Sequence, residues 1–499
     1  MKKSLRFLFT FVAIFVLIAM GAGGAAAAPT TKTLSTTYTV ANMGGTEANV
    51  LVAYYSDSGG TWNADAGNTS FKLAANGGQK EIRQYFDGTM TSGRGSAVIS
   101  SDQPLAAITL VLARGQTPTS GGYNGFAKGD TQVYVPQILK NRSTSNGIAR
   151  QQLVIQNMDN KDLFVRVEFY RSPTNSVAPL SFTKNFPTAI KPGASLFYDT
   201  NDEAGLTDDW VGSAVVTARD NGSNLGAIGV VSNTFIGSDL LYTFSAFPSA
   251  QLKSKWFVPY FTSKLANGQN TSVIVQNLSG GDIAANDLVL SCAKTPGTSG
   301  NDTYTFDNGT TVIADKASFD FNTLNAGFPA TWSGACNVTT LSGNKNIAVL
   351  VAVRMVGNPG DGGGFMYEGI PQPTGGDVDK FKTITVPYVT KRLANGGATV
   401  IRIQNIGDVD TTVTLNYKAG ADYGGTVKTL TKSNIPLKAG EALVRNLRWS
   451  AEEPDLPDQW FGSLTVTSSA APLQEVTVIT NVMNATGDTY FGLVGFPLP

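Results

Sequence analysis

Histidine is absent from all 499 residues. That gap removes the Ser-His-Asp triad, the Cys-His dyad, the HExxH zinc site and every imidazole general base. Charge is scarce as well: 15% of residues are charged, against roughly 25% in an average soluble protein. The 37 basic and 37 acidic side chains cancel, leaving no net field to gather nucleic acid or anionic lipid. Only two cysteines are present, and without histidine a zinc site would have to recruit unrelated carboxylates. No catalytic residue, metal or cofactor is expected. Helical periodicity is nearly missing too, whereas glycine reaches 54 residues, the profile of a turn-rich all-β protein.

The N-terminus sets the expected compartment. "MKKSLRF" is basic, "LFTFVAIFVLIAM" is apolar but short for a membrane span, and "GAGGAAAAP" supplies small residues for a signal peptidase. Residues 1–28 read as a bacterial Sec-type signal peptide, cut near Ala27 and Ala28. The expected location is extracellular or at the cell surface, with no membrane insertion once the signal is removed.

Internal repetition organises the rest. "VYVPQILK", "WFVPYFTSKLANG" and "ITVPYVTKRLANG" open three units, with Pro136, Pro259 and Pro387 spaced by 123 and 128 residues. Trp210, Trp332 and Trp460 keep nearly the same period, 122 and 128. A divergent copy precedes them. The expected units are 29–130, 131–252, 253–378 and 379–499, joined by short connectors such as "SAQLKSK" and "TGGDVDK", which predicts an elongated rod.

Counting from a shared asparagine aligns the strand faces. Asn42, Asn157 and Asn405 are followed at +8, +10 and +12 by Val50, Val52, Tyr54; by Val165, Val167, Phe169; and by Val413, Leu415, Tyr417. The third copy gives Leu288, Leu290 and Cys292 after a three-residue insertion. Alternation at period 2 marks a strand with one buried face. The fold class expected is all-β: four tandem antiparallel β-sandwich (Ig-like) domains after a signal peptide, each of about seven to nine strands.

The recurring Trp-x-Gly, with Gly212, Gly334 and Gly462, admits two readings. A residue needed for packing recurs in every unit, whereas a ligand platform is kept in one and drifts in the others, so the tryptophans read as core caps rather than stacking surfaces. The first copy has Gly93 at this position and carries Trp62 elsewhere. The shared asparagine reads as satisfying main chain at a strand end. Cys292 and Cys336 fall at inward positions of one unit, and in an exported protein they read as a disulfide linking strands across the core, with two buried free thiols as the alternative.

The acidic run "DTNDEAGLTDD", with Asp202, Glu203, Asp208 and Asp209, is the best cluster for carboxylate-pair hydrolysis or calcium. "SAEEPDLPD" keeps Glu452, Glu453, Asp455 and Asp458. The plainer expectation is a solvated loop before the Trp strand. "GNPGDGGG" at Gly357 lacks the Lys-Ser/Thr of a phosphate loop and reads as a hairpin. The sequons at Asn68, Asn270 and Asn308 are of a kind that chance produces in a chain this rich in Asn, Ser and Thr, and are expected at exposed turns rather than as glycan sites. Outside the shared core positions, "AYYSDSGGTWNAD", with Tyr55 and Trp62, is the one candidate aromatic cluster for a glycan.

In "YTVANMGGTEANVLVAYYSDSGG" and "IRIQNIGDVDTTVTLNYKAG" an alternating strand, an Asn-x-Gly turn and a second alternating strand ending in aromatics follow one another. The pattern resembles the cell-adhesion-related (CARDB-like) and S-layer-associated immunoglobulin-like repeats of bacterial surface proteins, over about 20 residues of each copy. The resemblance implies a structural or adhesive role without catalytic residues. The function expected is a non-enzymatic building block of a surface layer, sheath or filament; the alternative is a secreted glycan-binding protein or histidine-free glycosidase. Partners would be further copies, other cell-surface proteins or extracellular glycans. Pro29 lies only 13 residues before Asn42, against 18 to 21 in the other copies, so the first opening strand should be shortened and its edge exposed to strand addition.

Overall fold

The computed structural model describes residues 33–114, 119–144, 147–237, 240–296, 300–355, 363–420, 423–469, 473–483 and 489–497. The expected signal peptide and most of the Gly357 hairpin lie outside the described residues. The described residues are all-β, in eight antiparallel sheets that fall two to each repeat.

In repeats 2, 3 and 4 the first strand is the opening strand, Gln132–Lys140, Lys255–Ser263 or Thr383–Lys391. It pairs with the tryptophan strand, Trp210–Arg219, Trp332–Thr340 or Trp460–Ser468, whose other neighbour is the alternating strand, Phe164–Arg171, Leu288–Lys294 or Thr411–Ala419. Each opening-strand ladder shifts register beside its proline. Proline cannot donate to a ladder, and a bulge is where a sheet tolerates it. The second sheet centres on the asparagine strand, Gly147–Asn157, Gln269–Asn277 or Ala398–Asn405, paired with a return strand, Ile228–Ile236, Ile347–Met355 or Val476–Met483. A closing strand follows, Leu240–Ser245, Gly364–Glu368 or Thr489–Val494.

Repeat 1 has the same second sheet: Thr33–Asn42 pairs with Leu105–Arg114, which pairs with Thr119–Asn124. Its first sheet differs. Gly95–Ser101, in the place of the tryptophan strand, pairs with Ala48–Ser56 and ends the sheet. The residues that would form a shortened opening strand precede Thr33 and lie outside the described residues; among the described residues no strand takes its place.

The two sheets of a repeat share one core. All twelve residues aligned from the asparagines, Val50 to Tyr417, are buried. The asparagines form the same knot four times. Each side-chain amide donates to the carbonyl four residues on, that of Thr46, Lys161, Gly281 or Val409, at 2.7 to 2.8 Å. Each side-chain oxygen accepts the N–H two residues on, that of Gly44, Asp159, Ser279 or Gly407. One side chain thus satisfies the strand end and its turn.

The repeats close into a ring, which overturns the expected rod. Ser96 Oγ donates to Gly193 O, Ser213 Oγ to Lys316 O at 2.6 Å, and Ser463 Oγ to Gly77 O at 3.0 Å. These link repeats 1 to 2, 2 to 3, and 4 back to 1 at equivalent positions. In repeat 3 the serine is replaced by Ala335, and Tyr260 instead meets Arg402 of repeat 4, 3.4 Å from ring centroid to guanidinium carbon. The four closing strands meet at the centre. A Cβ on Gly492 would stand 2.2 Å from Phe365, one on Gly364 2.7 Å from the Tyr242 hydroxyl, and one on Gly122 3.2 Å from Phe491. Glycine is needed because strands of adjoining repeats approach within an aromatic ring's thickness. Asn124 Nδ2 donates to Val494 O at 2.9 Å and Ser245 Oγ to Asn124 O at 2.8 Å, while Ser245 N donates to Glu368 Oε1 at 2.6 Å. These bonds tie the four strands at one end of the centre.

Candidate functional site

The three repeated tryptophans are separate core caps and form no common surface. Trp210, Trp332 and Trp460 are each at most 1% exposed. Their indole N–H groups donate to the carbonyls of Pro179, Asn301 and Val427 at 2.9 to 3.2 Å. Phe169, Tyr304 and Tyr417 meet the three rings edge-on. The glycine two residues on is hemmed in from two sides: a Cβ on Gly212, Gly334 or Gly462 would lie 2.1 to 2.2 Å from the carbonyl oxygen of Tyr170, Ala293 or Lys418 on the alternating strand and 2.3 to 2.5 Å from its own repeat's Trp ring.

Repeat 1 solves the same problem from the other side. Trp62, in the turn after the alternating strand, lies against Gly93, whose Cβ would stand 3.3 Å from the indole, and its Nε1 donates to Thr91 Oγ1 at 3.2 Å. Coming from a loop rather than a strand, the ring stays half-buried. An open pocket of about 590 Å³ forms beside it, lined also by Asp57, Thr61, Ser92 and Arg94. Arg94 Nε donates to Asp57 Oδ2 at 2.7 Å, and its guanidinium lies 4.7 Å from the centroid of Phe197 in repeat 2. The pocket therefore sits where repeats 1 and 2 meet. Its composition is an apolar ring face beside an ion pair and hydroxyls.

Tyr55 does not join Trp62 in an exposed aromatic cluster. Its ring abuts Gly193 of repeat 2, where a Cβ would be 2.7 Å away. Arg94 and Asp57 escaped the sequence reading because their pairing spans two turns with no periodic signal. The one visible trace is that Arg94 stands where the other copies have Val211, Ser333 and Phe461.

The acidic loops are neither a carboxylate pair for chemistry nor simply solvated. Glu203 is buried. Burial alone works against its charge, but the Gly205 N–H, the Lys184 ammonium and the Tyr198 hydroxyl more than offset that and hold its pKa below the ordinary value. Glu453 is buried beside Arg445, whose Nε lies 3.2 Å from its carboxylate. Lys140 donates to Glu203 O, and Lys391 to the carbonyls of Glu452 and Glu453 at 2.7 and 2.8 Å. Burial lowers the Lys391 pKa. In repeat 3, Ser263 does the same job on Pro329 O. Asp202, Asp208, Asp455 and Asp458 stay exposed, and Asp209 is half-buried and accepts the Ser143 N–H at 2.8 Å. Among the described residues no group of three His, Cys, Asp or Glu side chains is placed to hold a metal.

Cys292 and Cys336 are bonded. They do not bridge the core: they face each other on neighbouring strands of one sheet, Cα atoms 3.9 Å apart. No helix among the described residues is long and apolar enough to cross a membrane. No family model matches the chain, and no curated protein or solved structure matches it either.

Proposed function

We propose that the chain is an exported, non-enzymatic structural or adhesive protein of the bacterial cell surface or extracellular matrix, built from four tandem immunoglobulin-like sandwiches after a signal peptide. One observation carries the reading: the acidic residues best suited to chemistry, Glu203 and Glu453, are consumed in holding the loops before the Trp strands of repeats 2 and 4. With histidine absent, what is left is a rigid ring with a recognition surface. Fractionation and immunogold microscopy of the producing cells should place the protein outside the cytoplasmic membrane, and a cytoplasmic location would sink the proposal.

The pocket at Trp62 favours a second reading, glycan binding. A half-buried indole offers the flat apolar face on which a sugar ring stacks, with Arg94, Asp57 and hydroxyls at its rim. Asp57 is the one carboxylate lining it, which supports binding rather than the two-carboxylate hydrolysis of glycosidases. Extracellular polysaccharide titrated into the protein should quench Trp62 fluorescence and lose its effect in Trp62→Ala. Unchanged affinity in that variant would remove this reading.

A further inference from the structure

Among the described residues repeat 1 has no opening strand, and its place is a slot whose walls are defined by three filled copies in the same molecule. In repeats 2 to 4 the opening strand runs antiparallel to the tryptophan strand and lies on the outer face of the next repeat's asparagine and return strands. The burial follows. The asparagine strands of repeats 3 and 4 are buried at every position, and that of repeat 1 is buried from Thr37 to Asn42. Only Gly147–Asn157 of repeat 2, the face that a repeat 1 opening strand would cover, alternates between buried and half-buried over its length.

The inner wall tells the same story. Ala97, Ile99, Leu105 and Ala107 are only partly buried, while their counterparts in repeat 2, Ala214, Val216, Ile228 and Val230, are closed off. Val98 is 40% exposed, whereas its counterpart Val215 is 0%. Among the described residues nothing pairs with the outer edge of Gly95–Ser101.

We propose that this slot binds one extended, apolar strand of a different polypeptide, antiparallel to Gly95–Ser101. The filled copies state the chemistry of the occupant: KWFVPYFTS and TITVPYVTK are nearly uncharged, with β-branched or aromatic residues facing the core and a proline where the ladder bulges. The residue after the proline turns toward the next repeat. Tyr260 meets Arg402 there, and in the slot that residue would meet Val154, the counterpart of Arg402 three positions before the shared asparagine. Main-chain pairing supplies affinity and the side-chain pockets supply selectivity.

Two other sources fit less well. Counting back from Asn42 as the third repeat counts back from Asn277, this chain's own stretch at the equivalent position is Met20–Ala28, MGAGGAAAA, which lacks the large side chains the walls require. A second copy has its three proline-bearing strands already paired. The proposal deepens the adhesive reading, on which it rests only for where the partner is met. An intracellular location would end that reading and leave the binding result untouched.

The test uses a labelled peptide TITVPYVTK and the full exported chain. Saturable one-to-one binding is expected, with slowed amide exchange across Gly95–Ser101. A peptide with aspartate at its second valine and its tyrosine should not bind. Val98→Asp, at an already exposed position, should weaken binding by about tenfold or more by placing a charge where the strand would bury it. Fusing TITVPYVTK through a flexible linker ahead of Thr33 should raise the melting temperature and abolish binding of free peptide. Three outcomes would overturn the proposal: no peptide binding together with no stabilisation by the fused strand; residues 20–28 retained and protected from exchange within the slot; or self-association of the unmodified chain that the peptide competes away.

Discussion

Ser463 Oγ donates a 3.0 Å hydrogen bond to the carbonyl of Gly77, joining residues 386 positions apart. Ser213 makes the equivalent bond to Lys316 within the chain's middle, so the junction between last and first repeats is of the same kind as an internal one. Small-angle scattering of the exported chain should give a radius of gyration of about 25 Å, close to compact-domain scaling, rather than the about 40 Å of four such units end to end. The larger value would mean the ring is open in solution.

The centre of the ring tolerates no added atoms. Gly492→Val would drive a side chain into Phe365, and overpacking of this kind costs roughly 1–3 kcal/mol. The variant should melt earlier and scatter as a more extended particle. A melting temperature unchanged from the parent would show that the closing strands do not meet so closely.

Loss of the Cys292–Cys336 bond should be felt in repeat 3 alone. With a sequence separation of 44, the chain-entropy model puts its contribution at about 4 kcal/mol. Differential scanning calorimetry of Cys292→Ala should show one component shifted down, and mass spectrometry of denatured, unreduced parent protein should find no alkylatable thiol. Two alkylatable thiols would refute the bond.

Asp320 offers a pH-dependent check. Burial pushes its carboxyl up to about 6, with Arg354 and the Ser272 hydroxyl working in the opposite direction. The folded chain therefore holds this proton more tightly than the unfolded chain, whose carboxyl titrates near 3.8. Stability is lost as pH rises from the unfolded value through the folded one, and the full penalty remains above it. Asp320→Asn should accordingly stabilise repeat 3 at pH 7 by roughly 1–3 kcal/mol and have almost no effect at pH 3. An equal gain at both values would show that the carboxyl's ionisation is not the cause.

Much of each sandwich was legible because its determinants are local and repeated. The asparagine knot, the Trp-x-Gly pair and the alternating faces each recur at a fixed offset, and a period-2 pattern with one buried face has one sensible reading. The disulfide partners were legible too, but not their geometry, since adjacent strands and opposite sheets both place inward cysteines in reach. Ring closure was hidden for a different reason. Ser96, Ser213 and Ser463 donate to backbone carbonyls, which any sequence possesses, and of the central glycines only Gly122 and Gly492 share a register, Gly364 being offset from them. One clue was present: "TSVIVQN" is apolar without alternation through Val273, Ile274 and Val275, as expected of a strand covered on both faces.

Closure also sets a timetable. The ring that presses on Gly122 belongs to Phe491, so a chain emerging from its amino end presents repeat 1 long before the residue that seals it exists. Until Thr489–Val494 arrives, the apolar side chains Ile108 and Leu110 have no Phe491 or Leu493 to cover them. A nascent or secreted intermediate is therefore at its stickiest just before completion, and a chain cut short within repeat 4 should need a chaperone that the finished molecule can do without.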